Sequence, residues 1–121
     1  MSYNRAVTIS CDTNTNSDCT VEAALAILSG KWKLKIFKAI QIQGASRFTE
    51  IRNAIEHISE KTLTAQLREM EADGLLSRMV YPEVPPKVEY RLTQLGESVE
   101  AVFKALDSLG KNYIQSREPK P

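Results

Sequence analysis

The chain has 121 residues, 42% hydrophobic and 7% aromatic, which suits one domain with one modest core. Sixteen Lys/Arg against fifteen Asp/Glu leave a net charge of +1, so there is no basic excess of the kind a nucleic-acid binder usually shows. No apolar run reaches membrane-spanning length, and one histidine, His57, far from two cysteines gives too few ligands for a tetrahedral metal site.

Residues 1–17 are polar and lack an apolar signal core, so the sequence places the protein in the cytosol and reads this stretch as a flexible arm. A cytosolic chain keeps Cys11 and Cys19 reduced. A first helix is expected from near Cys19, with Val21, Leu25 and Leu28 on one face and Gly30 ending it. A second follows over 31–44. Trp32, Ile36 and Ile40 mark its buried side, with Leu34 and Phe37 alongside. Lys31, Lys33, Lys35 and Lys38 read as a mostly solvated face, with one or two able to reach phosphate.

A short third helix, with Phe48, Ile51 and Ile55 facing inward, leads through Glu56-His57-Ile58 into the most strongly marked stretch, Ile58 to Gly74. Ser59 is a good N-cap, Ile58 and Leu63 sit at the spacing of a hydrophobic staple, and Gly74 suits the left-handed residue that ends a helix. Leu63, Leu67 and Met70 share one face. The other face carries Lys61, Ala65 and Arg68, flanked by Thr62, Thr64 and Gln66: donor-bearing, and slim enough to approach another surface. A helix entering a DNA major groove needs those properties; an ordinary amphipathic helix with a solvated face is the plainer reading. Between Arg47 and Arg78, five Arg/Lys stand against six Asp/Glu. The DNA reading therefore requires Arg52, Lys61 and Arg68 to point outward and Glu69, Glu71 and Asp73 to lie toward the far end of the helix. Two short helices joined by a brief turn form a helix-turn-helix.

Residues 75–81 look strand-like, 82–86 contain three prolines that preclude regular structure, and Lys87 to Leu92 alternates at period two. This predicts a β-hairpin, a wing on which Arg78, Lys87 and Arg91 could meet phosphate. Thr93 should cap one long final helix from Gln94 onward, with Leu95, Val99, Val102, Phe103, Leu106, Leu109 and Tyr113 at helical spacing. Roughly twenty residues at ~1.5 Å each make it about 30 Å long, more than a small body can cover. The first and last helices are therefore expected to form a two-fold dimer. The expected class is mainly α with a small β-hairpin. The winged helix and dimerisation helix occupy 18–116, and a flexible tail occupies 117–121.

The runs Cys19-Thr20-Val21-Glu22, Leu28-Ser29-Gly30-Lys31-Trp32 and Arg47-Phe48-Thr49-Glu50-Ile51 resemble the HxlR-type transcriptional regulators. So do Ile58 to Leu63, Leu67 to Leu75, Tyr81 to Tyr90 and Leu92 to Gly96, and the resemblance covers about residues 19–106. It implies a bacterial winged-helix dimer, related to the MarR group, on a pseudo-palindromic operator. The helix from Ser59 to Asp73 would be the recognition helix and Pro82 to Val88 the wing tip. The chain departs from the family pattern at Cys19-Thr20, where Cys-Pro is usual, and at Leu109-Gly110, where Trp-Gly is frequent. Several relatives sense oxidants or electrophiles through the cysteine matching Cys19. A helix N-terminus favours its thiolate, Asp18 works against it, and Cys11 is a candidate resolving partner.

The sequence thus points to a homodimeric, sequence-specific regulator of transcription, acting as a repressor. Its partner is double-stranded DNA, its cofactors are none, and any small-molecule effector is unknown. Its candidate DNA contacts are Arg47, Arg52, Ser59, Lys61, Thr62, Thr64, Ala65, Gln66, Arg68, Arg78, Lys87 and Arg91. Its candidate dimer residues are Val21, Leu25, Leu28, Val99, Val102, Phe103, Leu106, Leu109 and Tyr113. A thiol enzyme lacks a Cys-x-x-Cys and a histidine near either cysteine. A winged helix used only for protein association suits the near-neutral charge and is the competing reading.

Overall fold

The computed structural model describes residues 17–119. In chain order these form α1 (Ser17–Leu28), α2 (Lys33–Gln41), α3 (Phe48–Ala54), α4 (Glu60–Ala72), β1 (Leu76–Tyr81), β2 (Lys87–Leu92), α5 (Gln94–Glu97) and α6 (Val99–Ser116). The expected arm lies outside the described residues except for Ser17, which opens α1.

The core gathers the apolar faces of α2, α3 and α4. Ile36, Phe37, Ile51, Ile55, Ile58, Leu63, Leu67 and Met70 are buried, together with Leu75, Leu76 and Val99. The α4 start is built as its sequence predicts. Ser59 holds an extended backbone, and its hydroxyl accepts from the Thr62 N–H at 3.1 Å. Gly74, at φ +81°, ends it in the left-handed conformation. The α3–α4 turn places His57 at φ +66°, a region L-residues seldom occupy. α3 and α4 form the helix-turn-helix.

The strands pair antiparallel from Leu76 with Leu92 to Tyr81 with Lys87. A short third partner lies on the outer side of β2: Arg47 bridges Glu89, and the Tyr90 N–H donates to the Ser46 carbonyl at 2.7 Å. This ties the start of α3 to the wing. The fold is a winged helix-turn-helix, mainly α with one small hairpin. No helix among the described residues is long and apolar enough to cross a membrane.

Two expectations change. The last helix is not continuous. Thr93 caps the four-residue α5 by accepting from the Gly96 N–H, the chain breaks at Ser98, and α6 starts at Val99. Gly96 permits a close approach beside this break. It is buried against the Leu75 carbonyl, so closely that a Cβ there would lie 2.1 Å from the oxygen. Lys33 is the second change. It is 3% exposed rather than solvated, and its ammonium meets Glu69 Oε1 at 2.8 Å. Burying an unmatched ammonium would be costly, and the α4 carboxylate offsets part of that cost. Lys31, Lys35 and Lys38 are exposed as expected, the first two lying over the Trp32 ring.

Candidate nucleic-acid interface

Helical spacing on α4 sends Leu63, Leu67 and Met70 into the core, which leaves Lys61, Ala65 and Arg68 exposed on the opposite side with Thr64 half-buried. Lys61, Thr64, Ala65 and Arg68 line one concavity with Glu60 and with Phe48 from α3. Phe48 also lines a second concavity, shared with Arg47, Thr49, Glu83, Pro85, Pro86, Lys87 and Val88. The two concavities meet at Phe48, so a continuous surface runs from the exposed side of α4 to the wing tip. Thr49, Pro85 and Pro86 on that surface were not singled out as contacts from sequence. Neither was Phe48, which is half-buried against the core and lines both concavities.

Three acidic residues of this segment, Glu69, Glu71 and Glu50, are engaged by neighbouring groups, while Glu60 lines the α4 concavity itself. Glu69 is drawn inward to Lys33, and Glu71 faces Arg78 Nε at 3.7 Å. Glu50 accepts from the Ser46 and Arg47 backbone N–H groups at 3.0 and 3.1 Å, which caps α3. Those two bonds, with a smaller contribution from the Arg47 charge, hold its carboxyl below the ordinary carboxylate pKa. Glu60 stays on the surface, 3.8 Å from exposed Arg52.

Several candidate contacts are committed elsewhere. The Ser59 hydroxyl donates to Thr62 Oγ1 at 2.9 Å, so both side chains serve the cap. Gln66 is half-buried, and its Oε1 is buried without a hydrogen-bond partner. On the wing, Lys87 lies 3.3 Å and Arg91 3.5 Å from Glu89. The Tyr81 hydroxyl donates to the same carboxylate, accepts from Arg91, and its ring lies under Lys87. Burial works to raise the Glu89 pKa. The Lys87 bond and charge, the Tyr81 bond and the Arg91 charge outweigh it and hold the carboxyl below its ordinary value. Beside Arg68 and Arg78 sits Tyr90, whose hydroxyl pKa is raised by burial and, to a smaller extent, by the Glu71 charge, against smaller lowering effects of Arg78 and Arg68.

Among the candidate dimer residues, Val21 and Leu25 on α1 and Val102, Leu106, Leu109 and Tyr113 on α6 are exposed. Val99 is not among them: it is 6% exposed and belongs to the core. Leu28 and Phe103 are half-buried against that core, the Phe103 ring 6.3 Å from that of Phe37. Cys19, half-buried in the first turn of α1, is disulfide-bonded rather than the free thiol expected of a cytosolic chain. Cys11 lies outside the described residues.

Residues 27–118 match the family model described as HxlR-like helix-turn-helix. The chain belongs to the HxlR-like family. It is a transcriptional regulator of the helix-turn-helix type. The HTH-type transcriptional regulator YtcD of Bacillus subtilis is 44% identical over 95 residues, which is 78% of this chain and 75% of that one. A transcriptional regulator of the MarR family from Enterococcus faecalis V583 superposes with a TM-score of 0.76 at 35% identity, over 89% of this chain and 97% of its own. The redox regulator HypR, in its reduced form, superposes with a TM-score of 0.70 at 43% identity, over 77% of this chain and 91% of its own. The winged-helix geometry is therefore common to this HxlR-like chain and to MarR-family structures.

Proposed function

We propose that this HxlR-like protein is a homodimer that reads a pseudo-palindromic operator through α4 and represses by occupying it. One observation carries the reading. α4 presents Lys61, Thr64, Ala65 and Arg68 along one concavity, while the neighbouring Glu69 and Glu71 are taken by Lys33 and Arg78. Engagement of Glu69 and Glu71 away from this concavity reduces the objection from net charge, with Glu60 left on the concavity beside Arg52. Arg68 or Lys61 to guanine is the leading base contact, worth about 1–3 kcal/mol of discrimination. The exposed apolar residues of α1 and α6 provide the dimer surface. In the dimer, the two α4 helices meet successive major grooves about 34 Å apart.

Selection from a pool of random duplex DNA tests this reading. A two-fold symmetric sequence, with half-sites about one helical turn apart, is the expected outcome. The competing reading, a winged helix serving protein association, draws on wing cations already matched by Glu89. It predicts no selected sequence and no steep salt dependence of DNA binding.

Redox control through Cys19, with Cys11 as its partner, extends the proposal. It is supported by the position of Cys19 at the start of α1 and by similarity to a protein described as a redox regulator. Operator affinity is expected to change on diamide treatment of the reduced protein and to stay constant in Cys19→Ser. Equal affinity before and after oxidation of the wild type refutes the sensor.

A further inference from the structure

Lys33 is the buried charged residue among the described ones. It opens α2, and its ammonium has two acceptors: Glu69 Oε1 on α4 at 2.8 Å, and the Ser29 carbonyl just past α1 at 3.2 Å. One side chain thus joins the end of α1, the start of α2 and the recognition helix. Glu69 follows Arg68 directly in sequence, so the inward residue held by Lys33 and the outward residue at the DNA face sit on adjacent positions of one rigid helix.

Stability alone does not call for such a pair. Well-packed apolar residues in place of a buried ion pair are commonly neutral or better. The apolar contacts of Leu63, Leu67 and Met70 attach α4 to the core, but apolar burial is non-directional and sets rotation about the helix axis weakly. A short ion pair in a poorly solvated site does set it, because turning or sliding α4 by an ångström or so pulls the carboxylate off its partner.

We propose that the Lys33–Glu69 pair is a positioning element. It fixes the rotation and height of α4 against the end of α1, and so sets the register in which Arg68 and Lys61 meet base edges. The proposal rests on the DNA-reading function above, and neither Lys33 nor Glu69 touches DNA in it.

The test uses the full-length double variant Lys33→Met/Glu69→Met, which leaves net charge unchanged and therefore spares non-specific attraction to DNA. Three quantities are read: thermal melting, affinity for the selected operator against a random duplex, and hydrogen exchange of α4 amides in the free protein. The expected result is a folded variant with unchanged random-duplex affinity, an operator-to-random ratio lowered about tenfold, within the range of one base contact, and faster exchange across α4. Glu69→Gln keeps the volume and an acceptor for Lys33. It is expected to show a smaller loss in the same direction and serves as the readout if the double variant does not fold. A folded double variant with the wild-type ratio and wild-type α4 exchange overturns the proposal, as does a wild-type ratio in Glu69→Gln when only that variant folds. A wild type that selects no sequence, alongside a double variant with loosened α4, sinks the DNA function while supporting the anchoring of α4.

Discussion

Alanine at position 96 sets two physical effects against each other. Inside a helix, alanine is favoured over glycine by about 1 kcal/mol, and Gly96 lies in α5. Propensity alone therefore forecasts a more stable protein. The surroundings forecast the reverse. An added Cβ would lie 2.1 Å from the Leu75 carbonyl oxygen, 3.1 Å from its carbon and 3.2 Å from Leu92 Cδ2. The first two atoms are backbone and cannot rotate aside. The same oxygen accepts from the Thr93 N–H at 3.1 Å, so moving it disturbs a hydrogen bond as well. Overpacking costs about 1–3 kcal/mol and the disturbed bond about 1 kcal/mol. With the propensity gain set against these, the expected loss is about 1–3 kcal/mol. Urea unfolding followed by fluorescence of Trp32, the chain's one tryptophan, measures it, at matched protein concentration so that association does not enter. A Gly96→Ala protein as stable as the wild type, or more so, refutes the close-approach argument.

Other outcomes follow from the interface and the core. Arg68→Ala is expected to weaken operator binding by about 1–3 kcal/mol with little effect on random duplex, whereas Lys87→Ala weakens both alike; competition binding at fixed salt separates the two, and equal effects of Arg68→Ala on both DNAs remove it from base readout. Leu67→Ala, at a fully buried position, should cost about 2–5 kcal/mol by the same urea measurement. Glu50 and Glu89 both have folded pKa values below the ordinary 4.5, so the stability they contribute is present above that pH and is lost as pH falls through the lowered value. Glu50→Gln and Glu89→Gln should therefore unfold with a shallower pH dependence than the wild type in the acid range below about 4.5, and an unchanged acid profile contradicts the assignment.

What could be read from the sequence was local in origin. The α4 boundaries rest on Ser59, the Ile58–Leu63 staple and Gly74, all within a few residues of the backbone groups they serve, and the structure reproduces them. The hairpin was equally legible, because the period-two pattern and the prolines act within it. Lys33 was misread because its partner stands 36 residues away, and a lysine bound for an internal carboxylate looks in sequence like any other. The close approach of Gly96 escaped for the same reason: what it meets is Leu75, brought there only by tertiary packing. The bridge from Arg47 to Glu89 is too short to leave a pattern. The wing cluster was different. Lys87, Glu89 and Arg91 share a strand face by simple alternation, so their mutual neutralisation could have been anticipated.

That neutralisation bears on how such a protein would find its site. A wing whose two cations share one carboxylate and a tyrosine hydroxyl gives less charge to arbitrary duplex than a wing of unmatched cations, Lys87 still adding a sequence-independent part. Fewer counterions are then displaced per encounter, and dwell times away from the operator shorten. On the proposed function, search would proceed by frequent detachment and hopping rather than long one-dimensional sliding. Operator occupancy would depend less on the mass of competing genomic DNA than it does for regulators with strongly basic wings.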